Sequence, residues 1–247
     1  MSDNDGRMRL RLTSHRVGDE GHRLNRVLSS GPMLRNTFLH PPRVHVGYLL
    51  APRADLLRLG ALFRIAATGP HTAVHVPAPP STPPDAPPST PPRLSDGPDN
   101  PALPLLIARE DTGLRPSDWP ALRRRMHRTA TPLTATAPAP RPHERPEDVH
   151  RRCAHRPARF TEHAGTVVVT ARAELLFWIG DLLTAAGRAV ATDREIHRRG
   201  ESYFTDLVGL FEPRYTEHPM HALCVVAVDP IFHKSRWHKH RRPATAR

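Results

Sequence analysis

Three polar side chains in the C-terminal half follow apolar runs at positions where an open parallel sheet binds ligands. Thr170 closes Val167-Val168-Val169, Asp193 follows the run 188–192, and Asp229 follows the run 222–228. If each run is a strand of one parallel sheet, all three residues lie beyond the carboxyl ends of strands, where ligands sit in such sheets. Asp229 would then serve as a base or a metal ligand. The competing reading is local: Asp229 precedes Pro230, and an Asp before a Pro is ordinary turn chemistry.

His218, His221 and Cys224 are spaced by three, as some zinc ligands are, and Cys153, His155 and His163 could complete such a set. Against a metal stand the lack of any Cys-x-x-Cys pair and the 17 histidines, which make chance proximity common. Cys224 also alternates with Ala222, Val226 and Val228, as a buried thiol on a strand would. No metal and no cofactor is assigned. The chain carries no Gly-x-Gly-x-x-Gly, no phosphate loop, no His-Glu-x-x-His and no Gly-x-Ser-x-Gly. That lowers the expectation of an enzyme without removing it.

The third chemistry is cationic. Net charge is +12, with 36 basic residues of which only Lys234 and Lys239 are lysines. Arg123, Arg124, Arg125 and Arg128 cluster behind Trp119, and Lys234, Arg236, Trp237, Lys239, Arg241 and Arg242 crowd the C-terminal tail. Such groups fit phosphate backbones, and Trp237 could stack on a base. Residues 7–12, Arg-Met-Arg-Leu-Arg-Leu, alternate strictly and predict a half-buried strand with an arginine face. That face reads either as a phosphate-binding ribbon or as the protection of an edge strand against aggregation. The charge is unevenly dealt. Residues 166–229 hold six basic and nine acidic residues, while 230–247 hold six basic and none acidic. The abundance of Arg, Ala and Pro also matches GC-rich coding, which raises Arg without functional demand.

The elements that must position these groups centre on 166–193. Val167–Val169 form the β-branched run of a strand buried on both faces. In the helix behind it Leu175, Ile179, Leu182, Leu183 and Ala186 share one stripe, and Arg172, Asp181 and Arg188 fall off it. Gly187 is placed to end the helix in the left-handed conformation, and 188–192 offers a second strand. Strand, helix and strand make a right-handed βαβ unit and hence a parallel sheet. Residues 43–76 repeat the plan, with a helix between Pro52 and Gly69. Arg53-Ala54-Asp55-Leu56-Leu57 matches Arg172-Ala173-Glu174-Leu175-Leu176. Internal duplication accounts for the match; so does convergence, because helix N-termini favour acids. Thr192 to Glu195 has capping-box form, predicting a helix to Phe211 before the strand 222–228.

The expected fold is therefore α/β: βαβ units forming a mostly parallel sheet with helices packed on it, interrupted by Pro-rich linkers and a basic tail. Residues 1–40 form a basic strand and a short helix over 22–28, and 41–76 the first βαβ block. A Pro-rich linker spans 77–102, with PPSTPP twice, then a third strand and the basic helix span 103–136. A second linker spans 137–165 and a βαβαβ core 166–229, with Leu175, Ile179, Leu182, Phe204, Leu207, Val225 and Val226 inside; 230–247 is a disordered tail. Two cysteines and an N-terminus without a hydrophobic signal core predict a cytoplasmic protein, and no apolar run reaches membrane-spanning length. The favoured expectation is a binder of nucleic acid or an acidic partner through flexible basic segments. The alternatives are a small-molecule enzyme or ligand-binding domain with its site near Asp229, and an adaptor without catalysis.

Overall fold

The computed structural model describes residues 7–19, 23–31, 34, 37–40, 46–78, 103–142, 144, 146–153, 155–192, 201–206 and 222–228. Two sheets enclose two helices. The seven-stranded sheet has the order β7 (Ala130–Ala137), β1 (Met8–Arg16), β2 (Arg26–Ser29), β5 (Thr72–Val76), β6 (Leu105–Arg109), β9 (Thr166–Ala171), β8 (Arg159–His163). The four-stranded sheet has the order β10 (Glu201–Asp206), β11 (Ala222–Val228), β4 (Val46–Ala51), β3 (Phe38–His40). The expectation of a mostly parallel sheet is corrected. Only β2–β5 and β6–β9 pair parallel in the large sheet; β1–β2, β1–β7, β5–β6 and β8–β9 are antiparallel.

The long helices α1 (Arg53–Thr68) and α4 (Ala173–Ala189) each connect one sheet to the other. β4 feeds α1 from the small sheet and β5 leaves it in the large one; β9 feeds α4 from the large sheet and β10 leaves it in the small one. Neither is a crossover within one sheet, so the βαβ reading fails at both places. A sequence pattern cannot say which sheet the next strand joins.

The arrangement has an internal two-fold relation instead. The segments β3-β4-α1-β5-β6 and β8-β9-α4-β10-β11 have the same order, and each gives its first two strands to one sheet and its last two to the other. The four strands β5-β6-β9-β8 thus match β10-β11-β4-β3, with the same directions of pairing. The registers agree. Leu39 opposes Leu49 as Phe160 opposes Val169, and Leu223 opposes Gly47 as Leu105 opposes Val167. An apolar void of about 20 Å3 is lined by the matching pairs Leu49 and Val169, Phe63 and Leu183, Leu105 and Leu223. It has no polar wall that would hold a water.

Covered from two sides, α4 is buried almost all round, Leu176, Phe177 and Trp178 included as well as Leu175, Ile179, Leu182, Leu183 and Ala186. That is how a helix between two layers must read. Val225 and Val226 are buried as expected, and the side chains of Phe204 and Leu207 lie outside the described ones.

Other expectations need correction. Residues 26–29 form β2 in place of the short helix, and 201–206 form β10 in place of the capped helix. Residues 188–189 end α4 and 190–192 turn, so no strand stands there. Gly187 lies inside α4, where a Cβ would meet Leu57 at 3.0 Å. It is a packing glycine and not a cap. The second linker contains α3 (Pro146–Cys153), whose Val149 is fully buried and whose Arg152 Nε donates to Glu174 Oε1 at 3.0 Å. The first linker falls almost wholly on 79–102, and the tail 230–247 wholly, outside the described residues.

Candidate polyanion interface

β1 lies inside the large sheet, between β7 and β2. Its period-two pattern sends Leu10 and Leu12 into the core and leaves Arg9 and Arg11 exposed on the opposite face. The partner strand does the same. Leu133, Ala135 and Ala137 turn inward while Thr134 and Thr136 are exposed, directly opposite Arg11 and Arg9. β2 pairs with β1 only over Thr13–Arg16, so at Arg9 and Arg11 the strand is hydrogen-bonded to β7 on one side, and the edge-protection reading of these arginines stands beside the phosphate-binding one. The charges stand on an open sheet face, flanked by hydroxyls that can also donate to an oxyanion.

A short helix, α2 (Trp119–Met126), crosses the same outer face and enters β7. Its anchors are Trp119 and Met126, both buried, seven residues apart and so on one side of the helix. Trp119 Nε1 donates to Thr166 Oγ1 at 3.0 Å, and its ring lies 5.1 Å from that of His75 on β5. The Met126 carbonyl oxygen is 2.7 Å from His15 Nδ1 on β1, so that nitrogen carries the proton. Arg125 donates to the Val17 carbonyl at 3.0 Å, and the Thr129 hydroxyl to that of Arg16 at 2.9 Å. So held, the helix shows Arg123, Arg124 and Arg125 to solvent, with Arg128 just beyond it. A 3-10 turn over Pro116–Asp118 precedes the helix, and Asp118 Oδ2 accepts the Arg115 N–H at 3.1 Å.

β1, α2 and the stretch 127–137 through β7 contain seven arginines and no acid. Among the described residues they also have no counterpart in the other half of the two-fold arrangement. The positive charge is therefore concentrated on what the chain adds to a symmetric core.

Beneath α2 sits His75, with its Nδ1 buried and unbonded. Burial, reinforced by His15 and Arg123, pushes its pKa down to about 4, so the ring is neutral near pH 7. The alternation Val74-His75-Val76 is the signal by which sequence could have placed it on the outer face.

A second concentration of polar groups lies inside. Arg64, 1% exposed, donates from Nη1 to the Gly180 carbonyl at 3.1 Å, to Thr184 Oγ1 at 2.6 Å and to Asp181 Oδ1 at 3.5 Å. Its Nε donates to the Pro138 carbonyl at 2.9 Å, and the Arg141 N–H donates to Asp181 Oδ2 at 3.3 Å. Burial lowers the pKa of Arg64, against the pull of Asp181, and raises that of Asp181 against Arg141 and Arg64. The helical stripe leaves Asp181 off its apolar side; it is buried all the same because the 138–141 segment closes over it. The Arg141 guanidinium lies 4.0 Å above the Phe177 ring. This cluster fastens the two helices to that segment.

Of the expected ligand-site residues Thr170, Asp193 and Asp229, only Thr170 lies among the described residues. Thr170 is half-buried on β9, paired with Ala108 and Arg159, and β9 and β11 belong to different sheets, so their ends share no edge. Asp193 and Asp229 lie outside the described residues, as do Lys234, Arg236, Trp237, Lys239, Arg241 and Arg242. So do His218 and His221; Cys224 is a buried thiol on β11, in no disulfide among the described residues. Among the described residues no three His, Cys, Asp or Glu side chains group as metal ligands, and no helix is long and apolar enough to cross a membrane. No protein-family model, no curated protein and no solved structure matches the chain.

Proposed function

We propose that the chain binds nucleic acid as a polyanion, through the arginine face of β1 and β7 and the arginines of α2, with the basic tail adding to the same attraction. The observation that supports this most is the placing of Arg9 and Arg11. They are exposed on the outer face of the large sheet, paired with threonines of β7, on elements that carry seven arginines and no acid. GC-rich coding raises the number of arginines, but it does not sort them onto one face or exclude acids from three adjoining segments. Contacts from such a face go to phosphates and carry little sequence information. Two cysteines in 247 residues fit a reducing, cytoplasmic setting for this activity.

The test is binding of the intact chain to DNA and RNA oligonucleotides across a salt series, beside the double variant Arg9→Glu, Arg11→Glu and a form lacking 231–247. Both side chains point away from the core, so the double variant should fold. Each phosphate no longer neutralised should reduce the slope of log affinity against log salt by about one, so the double variant should lose about two. Unchanged affinity and slope in both variants would overturn the reading.

A further inference from the structure

On the flank of α2 opposite Arg123, an open cleft of about 540 Å3 lies between the helix, residues 17–18 and 23–24, and the loop 112–118. Small-molecule sites are typically roughly 300–1,000 Å3, apolar in their floor, with a few placed polar groups. Leu24, Leu114 and Leu122 come from three different segments, and each is only half-buried there. Together they leave apolar surface in contact with water that a hydrocarbon body could cover.

Two guanidiniums stand at this floor. The stem of Arg23 passes over Gly113, its Cδ 3.5 Å from where a Cβ would be, and Gly113 adopts φ +67° in the turn that makes the passage. Arg125 is held by one N–H on the Val17 carbonyl at 3.0 Å, which fixes its plane and leaves other N–H groups free to donate. The one acid in the lining, Asp118, already accepts the Arg115 N–H. The lining thus carries two positive charges and one negative, a surplus of one.

We infer that this cleft binds a small amphipathic monoanion, a carboxylate on a branched or linear hydrocarbon body. The leucines take the body, and Arg23 and Arg125 take the carboxylate in forked hydrogen bonds. The surplus of one charge favours a carboxylate over a phosphate dianion. The inference does not rest on nucleic-acid binding: the two sites share Arg125, but the cleft uses none of Arg9, Arg11, Arg123 and Arg124.

The experiment titrates the intact, leucine-methyl-labelled protein with octanoate, and with octanol and octylammonium as the neutral and cationic counterparts. Methyl shifts at Leu24, Leu114 and Leu122 report the place, and calorimetry the affinity. Octanoate should bind at least about tenfold more tightly than octanol, the worth of one charge-assisted hydrogen bond. Arg23→Gln should bring octanoate down to the level of octanol, and Ala121→Trp, on the exposed rim, should fill the cleft and abolish the leucine shifts. Equal affinity for octanoate and octanol, no saturation below about 10 mM, or undiminished binding by Ala121→Trp would each overturn the inference.

Discussion

Gly60 and Gly180 face each other where α1 and α4 cross, and neither has room for a side chain. A Cβ on Gly60 would stand 2.6 Å from the Gly180 carbonyl oxygen and 2.5 Å from Thr184 Oγ1. A Cβ on Gly180 would stand 2.6 Å from the Gly60 carbonyl oxygen and 2.9 Å from Arg64 Cγ. Each glycine is the eighth residue after its helix cap, Pro52 or Arg172, so the crossing lies on the internal two-fold relation. Arg64 and Thr184 occupy equivalent places four residues on, and they bond to each other.

The crossing should therefore be intolerant of one methyl group. Ala in place of Gly adds up to about 1 kcal/mol of helix propensity. Here the added carbon meets backbone oxygen, which cannot rotate away, and overpacking of this kind costs about 1–3 kcal/mol. Gly60→Ala and Gly180→Ala should each lower stability in urea unfolding. Because both separate the same helices, the double variant should cost less than the sum of the two. Additive losses, or a stabilised single variant, would show that the helices can part without penalty.

Arg64 and Asp181 should behave as one unit. Removing the guanidinium by Arg64→Ala takes the cation away from a buried carboxylate and the donor away from the Pro138 carbonyl, at about 3–5 kcal/mol. Asp181→Leu alone leaves the arginine buried without its counter-charge and should also be severe. Arg64→Met with Asp181→Leu removes both charges and keeps the volume, so it should be milder than either single change. Thermal unfolding of the three variants decides this; a double variant worse than both singles would mean that the ion pair itself carries the stability.

The sequence displayed local periods well and connections poorly. The alternations at 7–12 and 222–228 and the stripe of α4 each rest on side-chain spacing, and each element is present. What spacing cannot express is which sheet a strand joins, and that is where the βαβ reading failed. The sign of duplication was legible but out of step. The shared phrase beginning Arg53 and Arg172 is offset by 119, whereas the crossing glycines Gly60 and Gly180 are offset by 120. The phrase reflects helix N-terminal chemistry, and the glycines reflect packing. On the arginine face, the residues were legible and their neighbours were not. Only the pairing of β1 with β7 shows that Thr136 and Thr134 stand opposite Arg9 and Arg11 on the outer face.

Ile179 is 1% exposed and packs in the layer between the sheets. Ile179→Asp would place a carboxylate there with no partner designed for it. The variant should fail to fold or should lose most of its stability, since the ordinary total is about 5–15 kcal/mol. Circular dichroism of the purified variant is the check. A native melting profile would mean that the layer opens to water at this point.

The pH dependence of stability should trace to His75. Its pKa is about 4 in the folded protein and roughly 6.5 in an unfolded chain. Between these values the unfolded chain binds the extra proton, so stability rises with pH. The contribution is complete above about pH 6.5, falls as the pH drops, and is exhausted near pH 4, where the total lost approaches about 3 kcal/mol. The cause is local. A proton on the ring would sit under α2 within the field of His15 and Arg123, beside an indole that offers no acceptor. The expected consequence is loosening of α2 and its arginines in acid, before the two-helix layer gives way. His75→Leu keeps an apolar contact for Trp119 and removes the titration. From pH 7 to pH 5 the wild type should lose about 2 kcal/mol more than this variant in urea unfolding. Equal losses would assign the acid sensitivity to other groups and leave His75 a neutral packing residue.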